Sequence, residues 1–377
     1  MKKILFILPS LRTGGLERVQ ITIANALAQR GHDVTVMIFN PDFSLQNELN
    51  DKVHFIYKPP KKHIGQKIPY IRHVKYDAGL WETRASAKAL YDYYVGKEHY
   101  DAEVAFFRGR SVKIVSGSGN KNAKKVAWVH ADFSSCKGIT ANFNDLDEVK
   151  QAYAAFDKIV CVSRKAEQEF QKKIGITDTT VTIHNPLPVE EIRKKADLPC
   201  SFTKERFTLV SVGRMETVKG YDRLIEACAA LNKQGCAFDL VLVGDGEERS
   251  NLTALAKRLN AGNVTFVGQQ NNPYPFMKLA DLYVCSSRCE GFNLTVAEAL
   301  VLGKPVLSTM CAGPCEILDN GKYGMLVENN TQSIRDGIAR LLDDPQELES
   351  LRRRASERIS FFDGAPIISS IEELIMQ

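Results

Sequence analysis

The sequence predicts an α/β protein made of two parallel-sheet domains. Three observations predict it. Short apolar runs alternate with segments of helical period. This rhythm pauses at a stretch rich in proline and charge after residue 185, then starts again. The chain has 377 residues, more than one typical core accommodates. Alternating strands and helices give parallel sheets covered by helices, and a second start after a linker gives a second such domain.

The elements follow in order. An apolar strand over 3–8 leads into a helix over 16–30, with Val19, Ile23, Ala26 and Leu27 at helical spacing. Gly31 ends that helix, and a strand over 34–39 follows. Strands over 102–107 and 126–129, a helix over 146–156 and a strand over 158–162 continue the pattern. Residues 185–199 read as the linker. The rhythm restarts with a strand over 207–212, a helix over 221–234, a strand over 239–244, a helix over 250–259 and a strand over 264–267. A loop, Asp363-Gly364-Ala365-Pro366, precedes an apolar helix. Domains are therefore expected over 1–188 and 200–360, with a terminal segment over 361–377. There is no repeat of solenoid length.

Composition narrows the class. Hydrophobic residues make up 44% and charged residues 25%, ordinary values for a globular protein. No apolar run is long enough to span a bilayer. Met1-Lys2-Lys3 and the following apolar residues have the charge order of a signal peptide. The apolar part is short, however, and Arg12-Thr13-Gly14-Gly15 follows with no small-residue cleavage site, so the segment reads as the first strand. Nine cysteines contain no Cys-x-x-Cys pair. Cys285/Cys289 and Cys311/Cys315 are spaced by four, yet no histidine lies nearby to complete a zinc set. They read as small hydrophobes in a reducing, cytoplasmic setting, with no metal expected.

The net charge of +5 is unevenly placed. Lys58, Lys61, Lys62, His63, Lys67, Arg72, His73 and Lys75 form a basic stretch, with Tyr70, Ile71, Tyr76, Leu80 and Trp81 adding apolar surface. Such a stretch suits peripheral contact with the inner membrane face or with an anionic lipid-linked acceptor. A solvated loop leading into a core helix is the equal alternative. No motif accompanies the charge to suggest nucleic acid.

Two segments carry chemistry. Glu290-Gly291-Phe292-Asn293-Leu294-Thr295-Val296-Ala297-Glu298 holds two carboxylates eight positions apart. Glu298 lies within an apolar run, where a carboxylate is costly to bury unless paired or hydrogen-bonded. Gly291 places Glu290 on a loop and Glu298 on the helix that follows. The acids thus flank a helix N-terminus, where backbone N–H groups and the helix dipole favour a phosphate. The plainer alternative is an amphipathic helix with a capping acid. The second segment, Val210-Ser211-Val212-Gly213-Arg214-Met215-Glu216-Thr217-Val218-Lys219-Gly220, starts as a buried strand and breaks at glycine. Its cations point at the carboxyl edge of a sheet, where open α/β folds bind ligands. Arg214 offers a planar fork for phosphate oxygens and Lys219 a mobile point charge. Two solvated loop cations are the alternative, but together with the glutamates a diphosphate site is favoured.

Gly213-Arg214…Lys219-Gly220 followed by Glu290…Glu298 resembles the donor site of the group 1, family four retaining glycosyltransferases. The resemblance runs along almost the whole chain, in order: Gly14-Gly15-Leu16-Glu17-Arg18 after the first strand, His130 after the strand 126–129, Val162-Ser163, Asn185-Pro186, Gly244-Asp245-Gly246, and Gly313-Pro314-Cys315-Glu316. It implies the GT-B fold, two Rossmann-like doubly wound parallel-sheet domains facing a central cleft. The first would be the acceptor side, and the last helix would return to it. The second would bind the nucleotide-sugar donor.

The resemblance also assigns roles. Arg214 and Lys219 hold the diphosphate and offset the charge of the leaving group. Backbone donors around Gly291, Phe292, Asn293 and Leu294 add to them. Glu298 accepts from the ribose hydroxyls and Glu290 contacts the donor sugar. Gly213, Gly14 and Gly15 let backbone approach the ligands. His130 touches the donor sugar or the attacking hydroxyl, a satisfied strand-end histidine being its alternative. The implied enzyme is a retaining, metal-independent hexosyltransferase with no cofactor. Its donor carries a nucleotide diphosphate, with uridine the commonest base, and its acceptor is a saccharide or polyprenyl-linked. The implied setting is cell-surface polysaccharide or glycolipid synthesis, in the cytoplasm or on the cytoplasmic membrane face. A sugar-nucleotide epimerase on the same fold and a non-catalytic partner subunit are the alternatives. The chain departs from the commonest pattern at Asn185-Pro186, which stiffens the junction, and at Asn293, after the Gly-Phe of the glutamate motif.

Overall fold

The structure, a computed structural model, describes residues 1–61, 83–130, 133 and 138–376. Ile4 to Leu8 are almost wholly buried, as an inner strand covered on both faces requires. This strand, β1 (Lys3–Leu8), is joined by β2 (Asp33–Ile38), β3 (Val53–Tyr57), β4 (Ala102–Ala105), β5 (Lys124–Val129), β6 (Lys158–Cys161) and β7 (Thr180–Thr182). Their order is β3-β2-β1-β4-β5-β6-β7, and every pairing is parallel. The helix Gly15–Gln29 links β1 to β2 and buries Val19, Ile23 and Leu27 of the predicted apolar stripe, with Ala26 half-buried.

The second sheet contains β8 (Phe207–Val212), β9 (Phe238–Val243), β10 (Val264–Gly268), β11 (Leu282–Cys285), β12 (Val306–Thr309) and β13 (Met325–Val327). Its order is β10-β9-β8-β11-β12-β13, again all parallel. In each sheet the chain winds outward from its first strand, then crosses back to the other side of it. The reversal falls between β1 and β4 in one sheet and between β8 and β11 in the other. Ligands of open α/β sheets bind outside the carboxyl ends of strands at such a reversal.

Packing divides the chain into two units. One is Met1–Pro186 with Ala365–Gln377, and the other is Leu187–Gly364. The boundaries differ from those expected at 188, 200 and 360. The difference has a physical cause in residues 185–199. Val189–Ala196 is a helix that buries Ile192 and Ala196, not an open linker. Glu190 and Glu191 lie in its first turn, and Arg193, Lys194 and Lys195 in its last. That ordering complements the helix dipole, so charge read as a linker signal is helix-end charge. The helix Gly364–Met376 buries Ile368, Ile371, Leu374 and Ile375. Its Glu372 accepts from Arg30 at 2.5 Å and meets His32 at 2.8 Å.

Most remaining boundaries lie within a few residues of the sequence reading, the scatter expected at fraying ends. Of the basic stretch, Lys62 to Lys75 lies outside the described residues. Lys58 and Lys61 rest over the Tyr93 ring, 5.1 and 5.6 Å from its centre. No helix among the described residues is long and apolar enough to cross a membrane.

Candidate active site

The reversal between β8 and β11 brings together two residues that are 71 positions apart in sequence. After β8 the chain turns at Gly213 and forms a single 3-10 turn, Thr217–Lys219. Gly220 follows at φ +64, a left-handed conformation that glycine adopts without strain. A Cβ there would stand 2.2 Å from the Ser286 carbonyl oxygen. Only glycine therefore lets the turn lie against the loop after β11. That loop carries Ser287 and Glu290.

Lys219 Nζ donates to Glu290 Oε1 at 2.7 Å, and Ser287 Oγ donates to the same oxygen at 2.7 Å. The pair is partly buried, with side-chain exposures of 24% and 12%. Burial by itself lowers the Lys219 pKa, but the Glu290 charge and hydrogen bond outweigh it and hold the ammonium well above its ordinary value. Lys219 is a fixed cation. An ammonium has three donors, and Glu290 takes one.

Arg214 is placed differently. Its Nη1 donates to Glu216 Oε1 at 3.0 Å, and more than a third of its side chain is exposed. It follows Gly213 at the same strand end, paired with its own neighbour rather than with Glu290.

The helix Leu294–Val301 begins where the sequence places it. Asn293 caps it from a left-handed conformation, φ +73 and ψ +81. Asparagine is among the few residues that tolerate this region. Its Oδ1 accepts from the Val296 N–H at 3.1 Å and from the Thr295 hydroxyl at 2.9 Å, and its Nδ2 donates to Cys285 Sγ at 3.1 Å. Asn293, the departure from the family pattern, is thus the residue that starts the helix. Gly291 precedes it, Phe292 is buried, and Leu294 opens the helix. Glu298 is 9% exposed, and Tyr274 donates to its Oε1 at 3.1 Å. The two glutamates therefore have separate surroundings: Glu290 meets a lysine and a serine, Glu298 a tyrosine.

Gly14, Gly15 and His130 belong to the first unit. Gly14 is the N-cap of Gly15–Gln29 and is extended, φ −163 and ψ +160, a conformation open to any residue. Beside it Arg12 Nε donates to Glu17 Oε1 at 3.0 Å. His130 follows β5 and packs on Phe106 with ring centres 4.7 Å apart. Both ring nitrogens are sealed from solvent and make no hydrogen bond among the described residues. Burial lowers its pKa to about 3. It is therefore a neutral imidazole at physiological pH.

The cysteines are spread over both units: Cys161 is buried in β6, Cys228 in the helix Tyr221–Lys233 and Cys285 in β11. Cys311 Sγ donates to the Ser287 carbonyl at 3.2 Å, and burial raises its pKa to about 12. Among the described residues no three His, Cys, Asp or Glu side chains converge as metal ligands.

Comparison with known proteins gives the family and the fold. Residues 192–358 match the family described as Glycosyl transferases group 1, and residues 13–191 match Glycosyltransferase Family 4. The chain belongs to the group 1, family 4 glycosyltransferases. It is a sugar-transferring enzyme of the GT-B fold. An uncharacterized glycosyltransferase of Haemophilus influenzae is 29% identical over 360 residues, 92% of each chain. A Campylobacter jejuni enzyme is 26% identical over 378 residues, 97% of each chain. It is named N-acetylgalactosamine-N,N'-diacetylbacillosaminyl-diphospho-undecaprenol 4-alpha-N-acetylgalactosaminyltransferase. The structure of Anabaena HepE in complex with UDP and glucose superposes with a TM-score of 0.78 at 20% identity, covering all of both chains.

Three site neighbours in this glycosyltransferase escaped sequence reasoning: Ser287, Tyr274 and Thr309. The Thr309 hydroxyl donates to the Ser287 carbonyl at 2.6 Å and so fixes the serine's backbone. Ser287 stands three positions before Glu290, a spacing at which a hydroxyl meets a carboxylate, and was discoverable. Tyr274 and Thr309 come from other elements and left no local signal.

Proposed function

We propose that the protein is a retaining, metal-independent glycosyltransferase. It moves a hexose-type sugar from a UDP-sugar to a saccharide or polyprenyl-linked acceptor in cell-surface polysaccharide or glycolipid synthesis. The fixed Lys219–Glu290 pair at the β8–β11 reversal carries this reading. Lys219 keeps donors for a phosphate oxygen and stays charged. It offsets the charge that grows on the diphosphate as the bond from sugar C1 to phosphate oxygen breaks. Arg214 approaches the same group from Gly213. Backbone N–H groups at the mouth of Leu294–Val301 add further donors. Glu290 meets the sugar, and Glu298 the ribose hydroxyls. The acceptor oxygen bonds C1 on the face that the diphosphate leaves, and its proton passes to the departing phosphate oxygen. His130 is held neutral, and its polar contact with sugar or acceptor requires the enclosed ring nitrogens to open toward the ligand. Two cations serve where other transferases use a divalent ion.

The relatives support the substrate class. The Campylobacter enzyme is named for a diphospho-undecaprenol acceptor, and the HepE structures contain UDP, glucose or UDP-glucose. Lys58 and Lys61, stacked on Tyr93, suit work at the cytoplasmic face of a membrane as a peripheral protein.

Thermal shift with UDP and GDP, then product analysis with UDP-sugars, tests the reading. UDP raises the melting temperature by mass action. Product NMR shows the donor's anomeric configuration kept, and excess chelator leaves transfer intact. A donor rearranged without any acceptor indicates an epimerase. Absence of stabilisation by any nucleotide diphosphate overturns the assignment.

A further inference from the structure

The turn that carries Lys219 is held from outside by the loop after β11. Its three residues present three successive carbonyls, and each takes a donor from Ser286–Arg288. Thr217 O accepts from Arg288 Nη1 at 2.7 Å. Val218 O accepts from the Arg288 backbone N–H at 2.7 Å. Lys219 O accepts from Ser286 Oγ at 3.0 Å. The Arg288 guanidinium is itself anchored on Asp222, with Nη1 to Oδ1 at 2.8 Å and Nη2 to Oδ2 at 2.6 Å. Asp222 lies in the first turn of the helix Tyr221–Lys233. One side chain therefore ties the strand-end loop to both the turn and the helix that follows it.

A 3-10 turn of three residues has little stability of its own. The loop after β11 also supplies Glu290, the partner of Lys219. Arg288 thus sets the distance between the backbone carrying the ammonium and the backbone carrying the carboxylate. Arg288 touches neither member of the pair through its side chain. It acts on the backbone beneath them.

We propose that Arg288 is a positioning residue for Lys219: by clamping Thr217–Lys219 to the β11 loop it presets the ammonium for a diphosphate. This rests on the nucleotide-diphosphate reading of the site. A bidentate fork is needed on Asp222 with a further donor for Thr217 O, which arginine supplies and lysine does not. Arg288→Lys therefore recovers only part of the function.

The test uses the full chain and two readouts. The first is UDP titration into wild type, Arg288→Ala, Lys219→Ala and the double variant. Arg288→Ala weakens UDP on the order of tenfold, and the loss nearly vanishes when Lys219 is already alanine, because the two act through one contact. A role confined to general stability gives the same loss in both backgrounds. The second readout needs no nucleotide. The Lys219 Cε resonance, assigned by its loss in Lys219→Ala, stays protonated in wild type above pH ~10.5, where an ordinary lysine is half deprotonated. In Arg288→Ala it titrates in the ordinary range. Ser286→Ala, with Ser286→Thr as its rescue, repeats both readouts with a smaller cut. An additive cycle with an unshifted resonance overturns the proposal. A wild type that ignores UDP strikes the nucleotide reading, and the resonance still decides the role of Arg288.

Discussion

Lys219 and Glu290 share one short hydrogen bond across the strand reversal, and Ser287 donates to the same carboxylate oxygen. The site's cation and its acid are thus coupled within the fold itself. Arg214, paired with Glu216 near the surface, is not part of that coupling.

The two cations therefore separate on substitution. Lys219→Ala and Arg214→Ala each lower transfer on the order of a hundredfold or more, since each removes a charge-stabilising donor. Their stabilities differ. Arg214→Ala changes stability by less than about 1 kcal/mol, as for an exposed ion pair. Lys219→Ala strands a partly buried carboxylate and lowers the melting temperature clearly. Steady-state rates beside thermal melts check both, and near-normal transfer in either variant removes that residue from the diphosphate site.

Glu298→Gln keeps the side-chain shape and removes the charge. UDP affinity falls by roughly 1.5–3 kcal/mol, the range for hydrogen bonds to charged groups. Because Tyr274 donates to Glu298 within the fold, Tyr274→Phe serves as the control and costs about 1 kcal/mol of stability. Calorimetric titration with UDP, alongside melts of the empty proteins, reads both. Unchanged affinity in Glu298→Gln shows the acid to be scaffold.

Asn293 combines two local demands, a cap and a left-handed backbone. Asn293→Gly keeps the backbone and loses the cap, so it costs only a few tenths of a kcal/mol. Asn293→Ala loses the cap, at about 1 kcal/mol, and adds a left-handed penalty of roughly 1–2 kcal/mol. Urea unfolding should rank wild type, glycine, then alanine. Equal stability of the last two contradicts the observed conformation.

His130 is charged in the unfolded chain below its ordinary pKa of 6.5 but stays neutral in the folded protein down to about 3. The unfolded state binds the extra proton in that window, so stability falls as pH drops through it, by up to about 1.4 kcal/mol per pH unit. His130→Phe flattens this slope in urea titrations between the two values. Nor does His130 contribute an inflection near neutrality to the pH–rate profile. An unchanged slope in the variant means that the ring is hydrated and charged in the folded state.

Much of this was legible because the chemistry sits at strand ends, and strand ends announce themselves. Val210 to Gly213 reads as a buried strand breaking at glycine, and Glu290-Gly291 as a loop before a helix. What stayed hidden needed three dimensions. The left-handed backbone of Asn293 follows from how the loop meets Cys285 and Val296. Tyr274 reaches Glu298 from 24 residues away. β11, β12 and β13 have four, four and three residues, too few to show a period. The charges of Val189–Ala196 misled because composition gives their density, while the helix depends on their order.

The return of Gly364–Met376 to the first unit has a consequence for how the molecule is made. The first unit begins to emerge during synthesis before the second, yet its last helix comes only after the second unit's residues. Glu372 cannot reach Arg30 and His32 until then. The unit started first is completed last, and the second can fold while the first still waits for its closing helix. A chain stopped at Gly364 leaves the second unit whole and the first unfinished.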